Sequence, residues 1–248
     1  MDFELSELLQ PQDALVSVVV PCYNEQGNIE PLIQEALEVV TRRPNIEFIF
    51  VDNGSTDGTR GLLEALTYKT AGLKVSVVER NQGYGFGIRS GLKAASGKFV
   101  GWTHADRQTK LTDVEVALEI LAKNQERIFL KGRRSGRPLS DKIFTLGMSL
   151  FESILFRTKL GDINAQPTLF ARELLAEVLE GPDDFSLDLY AYVAAKRFGM
   201  KVLRIPVTFG PRFYGESKWN ISAKERWKFI RRTVAFSVRL ALPRRGIS

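Results

Sequence analysis

The sequence predicts an α/β fold in which a mostly parallel β-sheet is flanked by helices. Strand-like and helix-like segments alternate four times in the first half of the chain, with short links between them. Each of these strands ends in a polar loop, and the carboxyl ends of parallel strands share one edge of a sheet. Apolar residues make up 44% of the 248 residues and charged residues 26%, as in ordinary globular proteins. We therefore expect a single α/β domain.

The predicted elements follow in chain order. Residues 1–14 form a polar leader, and Val16–Val20 is a β-branched run typical of a strand buried on both faces. Residues 15–222 are the predicted domain, and residues 223–248 a basic amphipathic C-terminal helix. The later predicted strands are Glu47–Asp52, Lys74–Glu79, Gly97–Trp102, Arg127–Lys131 and Lys201–Phe209. The predicted helices reach Thr41, Lys69 and Ser96, then span Leu111–Lys123, Asp141–Arg157, Arg172–Glu180 and Leu187–Phe198.

Composition narrows the class of partner and the compartment. A net charge of +6 suggests an anionic partner, which is a nucleic acid, a phosphorylated ligand or a membrane surface. The single cysteine, Cys22, excludes an intrachain disulfide and fits a reducing compartment. The acidic N-terminus lacks the layout of a signal peptide, and no stretch reaches the roughly 20 apolar residues of a membrane span. We therefore expect a cytoplasmic location, peripheral to the cytosolic face of a membrane.

Three polar side chains follow the fourth predicted strand. His104, Asp106 and Gln108 alternate, so in an extended chain all three point to one side. An imidazole, a carboxylate and an amide oxygen on one side could hold a divalent metal. The alternative is a strand that ends in a polar turn, with a hydrogen-bonded histidine that is the only one in the chain.

Four segments occur in order at the ends of predicted strands: Pro21–Glu25, Asp52–Thr59, Asn81–Gly85 and His104–Asp106. They resemble the ordered signatures of family 2 inverting glycosyltransferases, which have the GT-A fold, a Rossmann-like, mostly parallel sheet flanked by helices. The resemblance covers about residues 15–220 and is greatest to the dolichyl- and polyprenyl-phosphate sugar synthases. It implies transfer of a sugar from a UDP- or GDP-linked donor, with inversion of the anomeric centre.

The resemblance places a nucleotide pocket at the first two loops and beside the fourth strand. Tyr23 offers a ring and a hydroxyl, and Glu25 can accept hydrogen bonds from ribose hydroxyls. Asp52 would accept hydrogen bonds from the base, and its alternative role is helix capping, for which Asp57 is better placed. The implied nucleotide-binding set is Pro21, Tyr23, Glu25, Asp52, Ala105 and Asp106.

The same resemblance implies a divalent metal, Mn²⁺ or Mg²⁺, on the donor diphosphate. The family motif is usually Asp-Ala-Asp followed two residues later by Gln, and here His104 replaces the first aspartate while Asp106 and Gln108 match. The metal would neutralise charge on the leaving group. An imidazole ligand suits manganese better than magnesium, so His104 puts the metal's identity in question.

A basic segment, predicted as a loop, follows the fifth strand with Lys131, Arg133, Arg134 and Arg137. Such a segment is usually a solvated loop. In the related synthases, arginines here and near the end of the domain bind the acceptor phosphate, and guanidinium forks suit phosphate. The implied acceptor-phosphate set is Arg134, Arg212 and Lys218. The candidate catalytic residues are Asp106, Arg134, Arg212 and Asp188.

The expected role of Asp188 depends on the kind of acceptor. A soluble or glycan hydroxyl needs a general base, which Asp188 could supply. A polyprenyl phosphate is already an anion and needs no base, in which case Asp188 is structural. The alternative of another class is a non-catalytic module that binds nucleotide sugars or nucleic acid.

Two predicted helices are relevant to the question of membrane binding. The apolar helix from Ile143 to Leu155 is either core or a lipid-facing interfacial helix, and the basic C-terminal helix has the same character. Nucleic-acid binding would use similar features. Because phosphates already explain the anionic partner, we favour a polyprenyl phosphate acceptor at a membrane surface and expect no nucleic-acid partner. An integral-membrane partner protein is compatible with this arrangement.

Overall fold

The structure, a computed structural model, describes residues 15–123, 127–136, 139–210, 214 and 223–242, with only the backbone at 139–144, 223–226 and 229. The strands are β1 Val16–Cys22, β2 Ile46–Asn53, β3 Leu73–Val78, β4 Phe99–Trp102, β5 Ile128–Ser135, β6 Thr168–Ala171 and β7 Lys201–Thr208. The helices are α1 Gln26–Arg42, α2 Thr59–Thr67, α3 Tyr84–Leu92, α4 Asp113–Lys123, α5 Leu139–Leu155, α6 Leu175–Leu179, α7 Leu187–Arg197 and α8 Ala223–Ala241.

The strands form one seven-stranded sheet in the order β3-β2-β1-β4-β6-β5-β7. β1 pairs in parallel with β2 and β4, β2 with β3, and β5 with β7. β6 runs antiparallel to both of its neighbours, β4 and β5. The other six strands therefore end at the same edge of the sheet, as predicted for an α/β fold of this kind.

Two apolar layers cover the sheet. Alternate residues of β1 point to opposite faces, so Val18 packs in one layer and Val19 in the other. The first layer is built on α1 and α4, and the second on α3 and α7. Phe236 and Leu240 of α8 pack against the second layer. Helices on both faces explain why the central strands are apolar throughout.

The prediction of a basic loop after the fifth strand is wrong for Lys131, Arg133 and Arg134. β5 extends to Ser135 because it pairs along its full length with β7, and Lys131 is fully buried. The short strand β6 was also missed, since a four-residue segment after a polar stretch carries little periodicity.

Several predictions concern residues outside the described ranges. These are the polar leader at 1–14, Arg137, Arg212, Lys218 and the last residues of the C-terminal helix. Within the described part of the chain, no helix combines the length and apolar character needed to cross a bilayer.

Candidate active site

The loops after β1 and β2 are joined by hydrogen bonds. Thr56 N donates to Asn24 Oδ1 at 2.8 Å, and Gly58 N donates to Gln26 Oε1 at 2.9 Å. Glu25 N donates to Thr59 Oγ1 at 2.9 Å. These bonds hold the two loops together as one wall at the carboxyl edge of the sheet.

Four of the predicted nucleotide-binding residues lie at this wall. Asp52 is paired with Cys22 in the β1–β2 register, and its Oδ1 accepts a hydrogen bond from Ser55 N at 3.2 Å. Glu25 Oε2 accepts a hydrogen bond from Asn28 Nδ2 at 2.6 Å. Burial, and then the charges of Glu25 and Asp52, raise the pKa of the Cys22 thiol. The set is completed by the half-buried Pro21 and Tyr23.

Asp57 bonds to the start of α2. Its Oδ1 accepts hydrogen bonds from Thr59 N at 3.0 Å and from Thr59 Oγ1 at 2.5 Å. Asp52 instead bonds within its own loop. The carboxylate of Asp52 is therefore not used at the first turn of the helix.

The glycines of the third loop pack against the protein's own backbone. A Cβ at Gly83 would overlap the Asp183 carbonyl oxygen, and a Cβ at Gly85 would overlap that of Pro182. Phe86 N donates to the Asp183 carbonyl oxygen at 3.1 Å. Close approach explains these two glycines, and what approaches is the segment that precedes α7.

The fourth loop bends directly after β4. Residues 105–109 form bends, and Arg107 has a φ of 57°, so the alternation expected of an extended chain is absent. Gln108 Nε2 donates to the Gly210 carbonyl oxygen at 3.1 Å, whereas His104 Nε2 lies 3.0 Å from the Tyr84 hydroxyl. The three predicted metal ligands thus have separate neighbours.

The donor set of this loop suits a metal that is held partly by its substrate. Asp106 is 5% exposed and its Oδ1 accepts a hydrogen bond from Gln108 N at 3.2 Å. Among the described residues there is no cluster of three or more His, Cys, Asp or Glu side chains. Divalent cations carried by phosphates are often bound through one or two protein ligands only. Asp106 and His104 fit that arrangement rather than a closed cage.

Asp188 belongs to a buried polar cluster with Lys131, Gln166 and Thr168. Lys131 Nζ lies 2.6 Å from Thr168 Oγ1 and 3.4 Å from Asp188 Oδ1. Gln166 Nε2 donates to the same carboxylate oxygen at 2.8 Å. Burial lowers the pKa of Lys131 to about 8, and the charge of Asp188 opposes this shift. No sequence pattern indicated the Lys131–Asp188 pair, because the two residues are brought together only by the fold.

Tyr84 joins this cluster to the fourth loop. Its ring stacks on Phe185 with centroids 4.5 Å apart, and its hydroxyl is near His104. Burial, and then the charge of Asp188, raise the pKa of the Tyr84 hydroxyl well above its ordinary value. Sequence reasoning did not select Tyr84, which is apparent only once α3 and α7 are packed together.

Arg134 lies near the carboxyl end of β5, beside a groove of about 740 Å³. Its Nε and Nη2 both donate to Asp162 Oδ1, the former at 2.8 Å, which fixes the guanidinium group. The groove runs along α5, where Leu146, Leu150 and Ile154 are 70%, 60% and 70% exposed. An oriented cation therefore adjoins an apolar surface.

Residues 17–179, more than half of the chain, match the sequence profile of the family described as glycosyl transferase family 2. The chain belongs to this family. The strand order and the loops at one sheet edge agree with the GT-A fold predicted from the sequence.

Curated relatives of this family 2 chain are named as glycosyltransferases or sugar synthases. A dolichyl-phosphate beta-glucosyltransferase of Trichomonas vaginalis is 26% identical over 235 residues, which are 87% of this chain and 69% of that protein. A dodecaprenyl-phosphate galacturonate synthase of Rhizobium johnstonii is 27% identical over 219 residues, 85% of this chain and 63% of that protein. A Bacillus subtilis glycosyltransferase named for teichuronic acid biosynthesis is 28% identical, and the chain spans only 59% of its length.

Solved structures share the fold. Glucosyl-3-phosphoglycerate synthase from Mycobacterium tuberculosis, in complex with Mn²⁺, UDP and glucosyl-3-phosphoglycerate, has a TM-score of 0.70 at 20% identity, covering 94% of this chain and 82% of that one. A Pyrobaculum calidifontis mannosyltransferase with GDP-Man and Mn²⁺ has a TM-score of 0.61 at 22% identity, covering 93% and 66%.

Proposed function

We propose that this family 2 protein transfers a sugar from a nucleotide-diphosphate donor to a polyprenyl phosphate at a membrane surface. One observation carries the proposal. The apolar groove beside Arg134 opens near the same edge of the sheet as the loop that carries His104 and Asp106. Two curated relatives named for dolichyl or dodecaprenyl phosphate support this class of acceptor.

The donor side is built from the first, second and fourth loops. Tyr23, Glu25 and Asp52 hold the nucleoside, and Asp106 with His104 would hold a divalent cation beside it. That cation, Mn²⁺ or Mg²⁺, supplies positive charge to the leaving group when bound. Structural neighbours in complex with Mn²⁺ and either UDP or GDP-Man support this assignment.

The acceptor side is built from the groove. Arg134 uses only part of its five-donor guanidinium on Asp162, so it retains donors for a phosphate. The exposed side chains of Arg157 and Lys159 line the same groove. The isoprenoid chain lies on Leu146, Leu150 and Ile154. Arg212 and Lys218 remain acceptor-phosphate candidates predicted from the sequence, outside the described residues.

The reaction is a single displacement. A phosphate oxygen of the acceptor attacks the anomeric carbon, the bond from that carbon to the nucleoside diphosphate breaks, and the configuration inverts. The attacking oxygen is already an anion, so no general base is required. Arg134 orients it, and the apolar groove places the reaction near a lipid surface.

A hydroxyl acceptor with Asp188 as base is the second candidate. The likeness to a synthase bound to glucosyl-3-phosphoglycerate favours it. Against it, Asp188 is 2% exposed and its carboxylate is engaged by Lys131 and Gln166. An Asp188→Asn variant that keeps its activity with polyprenyl phosphate would exclude this candidate.

The test is a panel of UDP- and GDP-sugars with a short polyprenyl phosphate or a soluble phosphate acceptor, in Mn²⁺ or Mg²⁺. We expect a lipid-linked sugar and release of nucleoside diphosphate. Arg134→Lys should raise KM for the lipid about 30-fold, as for loss of one charge-assisted hydrogen bond. The matched control is Arg127→Lys, an exposed residue paired with Glu173. Transfer only to the soluble acceptor, or no turnover with any donor, would contradict the proposal.

A further inference from the structure

Asp162 holds both the backbone and the side chain of Arg134. The backbone N of Arg134 donates to Asp162 Oδ2 at 2.9 Å, and its Nε donates to Asp162 Oδ1 at 2.8 Å, with Nη2 bonded to the same oxygen. The two side chains are only 12% and 16% exposed. The direction of the Arg134 guanidinium group therefore depends on where the carboxylate of Asp162 lies.

Asp162 lies in an irregular segment between α5 and β6. Its φ of 42° is in the left-handed region, which residues other than glycine rarely adopt. Within the segment, Ala165 N donates to the Asp162 carbonyl oxygen at 3.1 Å. Because an unfavourable backbone conformation persists only when its surroundings hold it, contacts from other elements matter here.

Arg204 of β7 supplies such contacts. Its Nη1 donates to the Gly132 carbonyl oxygen at 2.8 Å and to the Asp162 carbonyl oxygen at 3.4 Å. Its Nη2 donates to the Gly161 carbonyl oxygen and to the Tyr192 hydroxyl, the latter at 3.0 Å. One guanidinium group thus joins β5, the segment that carries Asp162, and α7.

Aromatic packing fixes the guanidinium group of Arg204. Its central carbon lies 5.2 Å from the centroid of the Tyr192 ring. Tyr192 is 3% exposed, and its ring stacks on Phe129 with centroids 5.5 Å apart. A lysine at position 204 would keep the positive charge but would lack the planar fork that reaches several acceptors at once.

We propose that Arg204 is a positioning residue that holds the segment of Asp162 against β5, so that the carboxylate aims Arg134 at the acceptor phosphate. Gly132, which accepts a hydrogen bond from Arg204, lies two residues before Arg134 in β5. Arg204 therefore fixes Asp162 relative to the strand that carries Arg134. The part that concerns the acceptor phosphate rests on the proposed function, whereas the ordering of Arg134 does not.

Steady-state kinetics with each substrate varied in turn test this role. Arg204→Lys should raise KM for a short polyprenyl phosphate about tenfold and leave KM for the nucleotide sugar unchanged, because Arg134 is present but no longer fixed. Arg172→Lys is the matched control and should change neither KM. Arg172 also donates to two backbone carbonyl oxygens, those of Gly97 at 3.1 Å and Ala95 at 2.6 Å, but these precede β4 at the other edge of the sheet.

A double variant shows whether Arg204 acts through Arg134. If it does, Arg204→Lys should add little to KM for the lipid once Arg134→Lys is present, whereas independent effects would multiply. Arg172→Lys combined with Arg134→Lys should have the same KM for the lipid as Arg134→Lys alone.

The ordering of Arg134 is also measured without lipid or donor. ¹⁵N-arginine labelling reports the Arg134 Nε–H group, whose resonance is identified by its loss in Arg134→Lys. The bond to Asp162 protects this hydrogen, so its exchange with water should be about tenfold faster in Arg204→Lys and unaltered in Arg172→Lys.

Tyr192→Phe is a second and milder variant. It removes the hydroxyl that accepts from Arg204 and keeps the ring, so it should shift the same measurements in the same direction by a smaller amount. Urea denaturation shows whether each variant is folded, and Tyr192→Phe decides the matter if Arg204→Lys is not.

Three results would overturn the proposal. They are unaltered Nε–H exchange in Arg204→Lys, a KM for the lipid that is unchanged or rises together with that for the donor, and effects of Arg204→Lys and Arg134→Lys that multiply. If the unsubstituted protein uses no polyprenyl phosphate, the proposed function fails and the acceptor's part in this inference fails with it. The Nε–H exchange would still decide whether Arg204 orders Arg134.

Discussion

His104 and Asp106 lie two residues apart in a bent loop, and their surroundings differ. His104 is half-buried against Tyr84, while Asp106 is buried and accepts the backbone hydrogen of Gln108. At the residue scale, the site thus combines a carboxylate held by its own loop with an imidazole held by another element. Asp106 is the residue whose loss should affect the donor diphosphate most directly.

Asp106→Asn should lower kcat/KM on the order of 100-fold or more, because a carboxylate that holds charge against the leaving group is lost. Release of nucleoside diphosphate in Mn²⁺ measures this. Glu119→Gln, which removes an exposed carboxylate on α4 paired with Arg43, should leave the rate unchanged. A fully active Asp106→Asn protein would refute the role of Asp106.

The buried pair of Lys131 and Asp188 makes a prediction about stability. Lys131→Met leaves the carboxylate of Asp188 buried without its cation, so the free energy of unfolding should fall by about 3–5 kcal/mol. The double variant Lys131→Met/Asp188→Leu should recover most of that loss. Urea denaturation of both variants checks this, and equal instability of the two would contradict it.

Lys131 also makes stability depend on pH. Burial lowers its pKa to about 8, compared with about 10.4 in an unfolded chain. Between these values the unfolded chain binds a proton that the native protein lacks, so the free energy of unfolding contributed by Lys131 rises with pH. The raised pKa values of Cys22 and Tyr84 act in the opposite direction. We measure the free energy of unfolding by denaturation at several pH values between about 8 and 10. With rising pH it should increase less, or fall more, in Lys131→Met than in the unsubstituted protein, because the variant lacks the contribution of Lys131.

At the scale of elements, β6 decides the geometry of the site. It inserts antiparallel between β4 and β5, and it brings Thr168 opposite both Trp102 and Lys131. The polypeptide just before β6 supplies Gln166, whose carbonyl oxygen would overlap a Cβ at Gly132. The polar cluster around Asp188 therefore depends on close strand packing.

Gly101→Ala tests this packing. A Cβ at Gly101 would overlap the Thr168 carbonyl oxygen, and backbone has little room to move in the centre of a sheet. We expect a loss of about 3 kcal/mol or more in the free energy of unfolding. Gly61→Ala is the matched control, because nothing lies within 4 Å of its added Cβ and α2 should gain about 0.5–1 kcal/mol. Urea denaturation measures both.

At the scale of the whole molecule, six strands end at one edge of the sheet, where we propose that donor and acceptor residues lie close to each other. The α5 groove lies beyond β5, and α8 is fixed to α5 through Ser237 Oγ, which donates to Glu152 Oε1 at 2.6 Å. Trp227 and Val238 of α8, and Leu242 just after it, are also exposed apolar residues. We propose that these two helices face the membrane.

Leu150→Glu/Ile154→Glu should reduce binding to vesicles of phosphatidylcholine and phosphatidylglycerol about tenfold or more, since two apolar contacts with lipid are lost. Co-sedimentation measures the bound fraction. Val116→Glu changes an exposed apolar residue of α4 on the opposite face of the sheet and should bind like the unsubstituted protein. Equal binding by all three proteins would argue against this membrane face.

Much of the fold could be predicted because its signals are local. The β-branched run at Val16, the hydrogen bond of Asp57 to the start of α2 and the turn residues at the strand ends are properties of short segments. The four loop motifs also predicted the family, which the family match confirms. β6 and the true length of β5 could not be predicted, because their pairing depends on strands far away in the chain.

The sequence by itself determined the α/β class, the family and the polar loops at the strand ends, since strand periodicity and turn chemistry are encoded within a few residues. Only the tertiary structure decided that Lys131 is buried against Asp188 rather than exposed in a basic loop. It also placed Tyr84 next to His104, and it packed the backbone at Gly83 and Gly85 against the segment before α7. The physical reason is the same in each case. Burial, charge pairing and close backbone contact depend on which distant segments the sheet brings together.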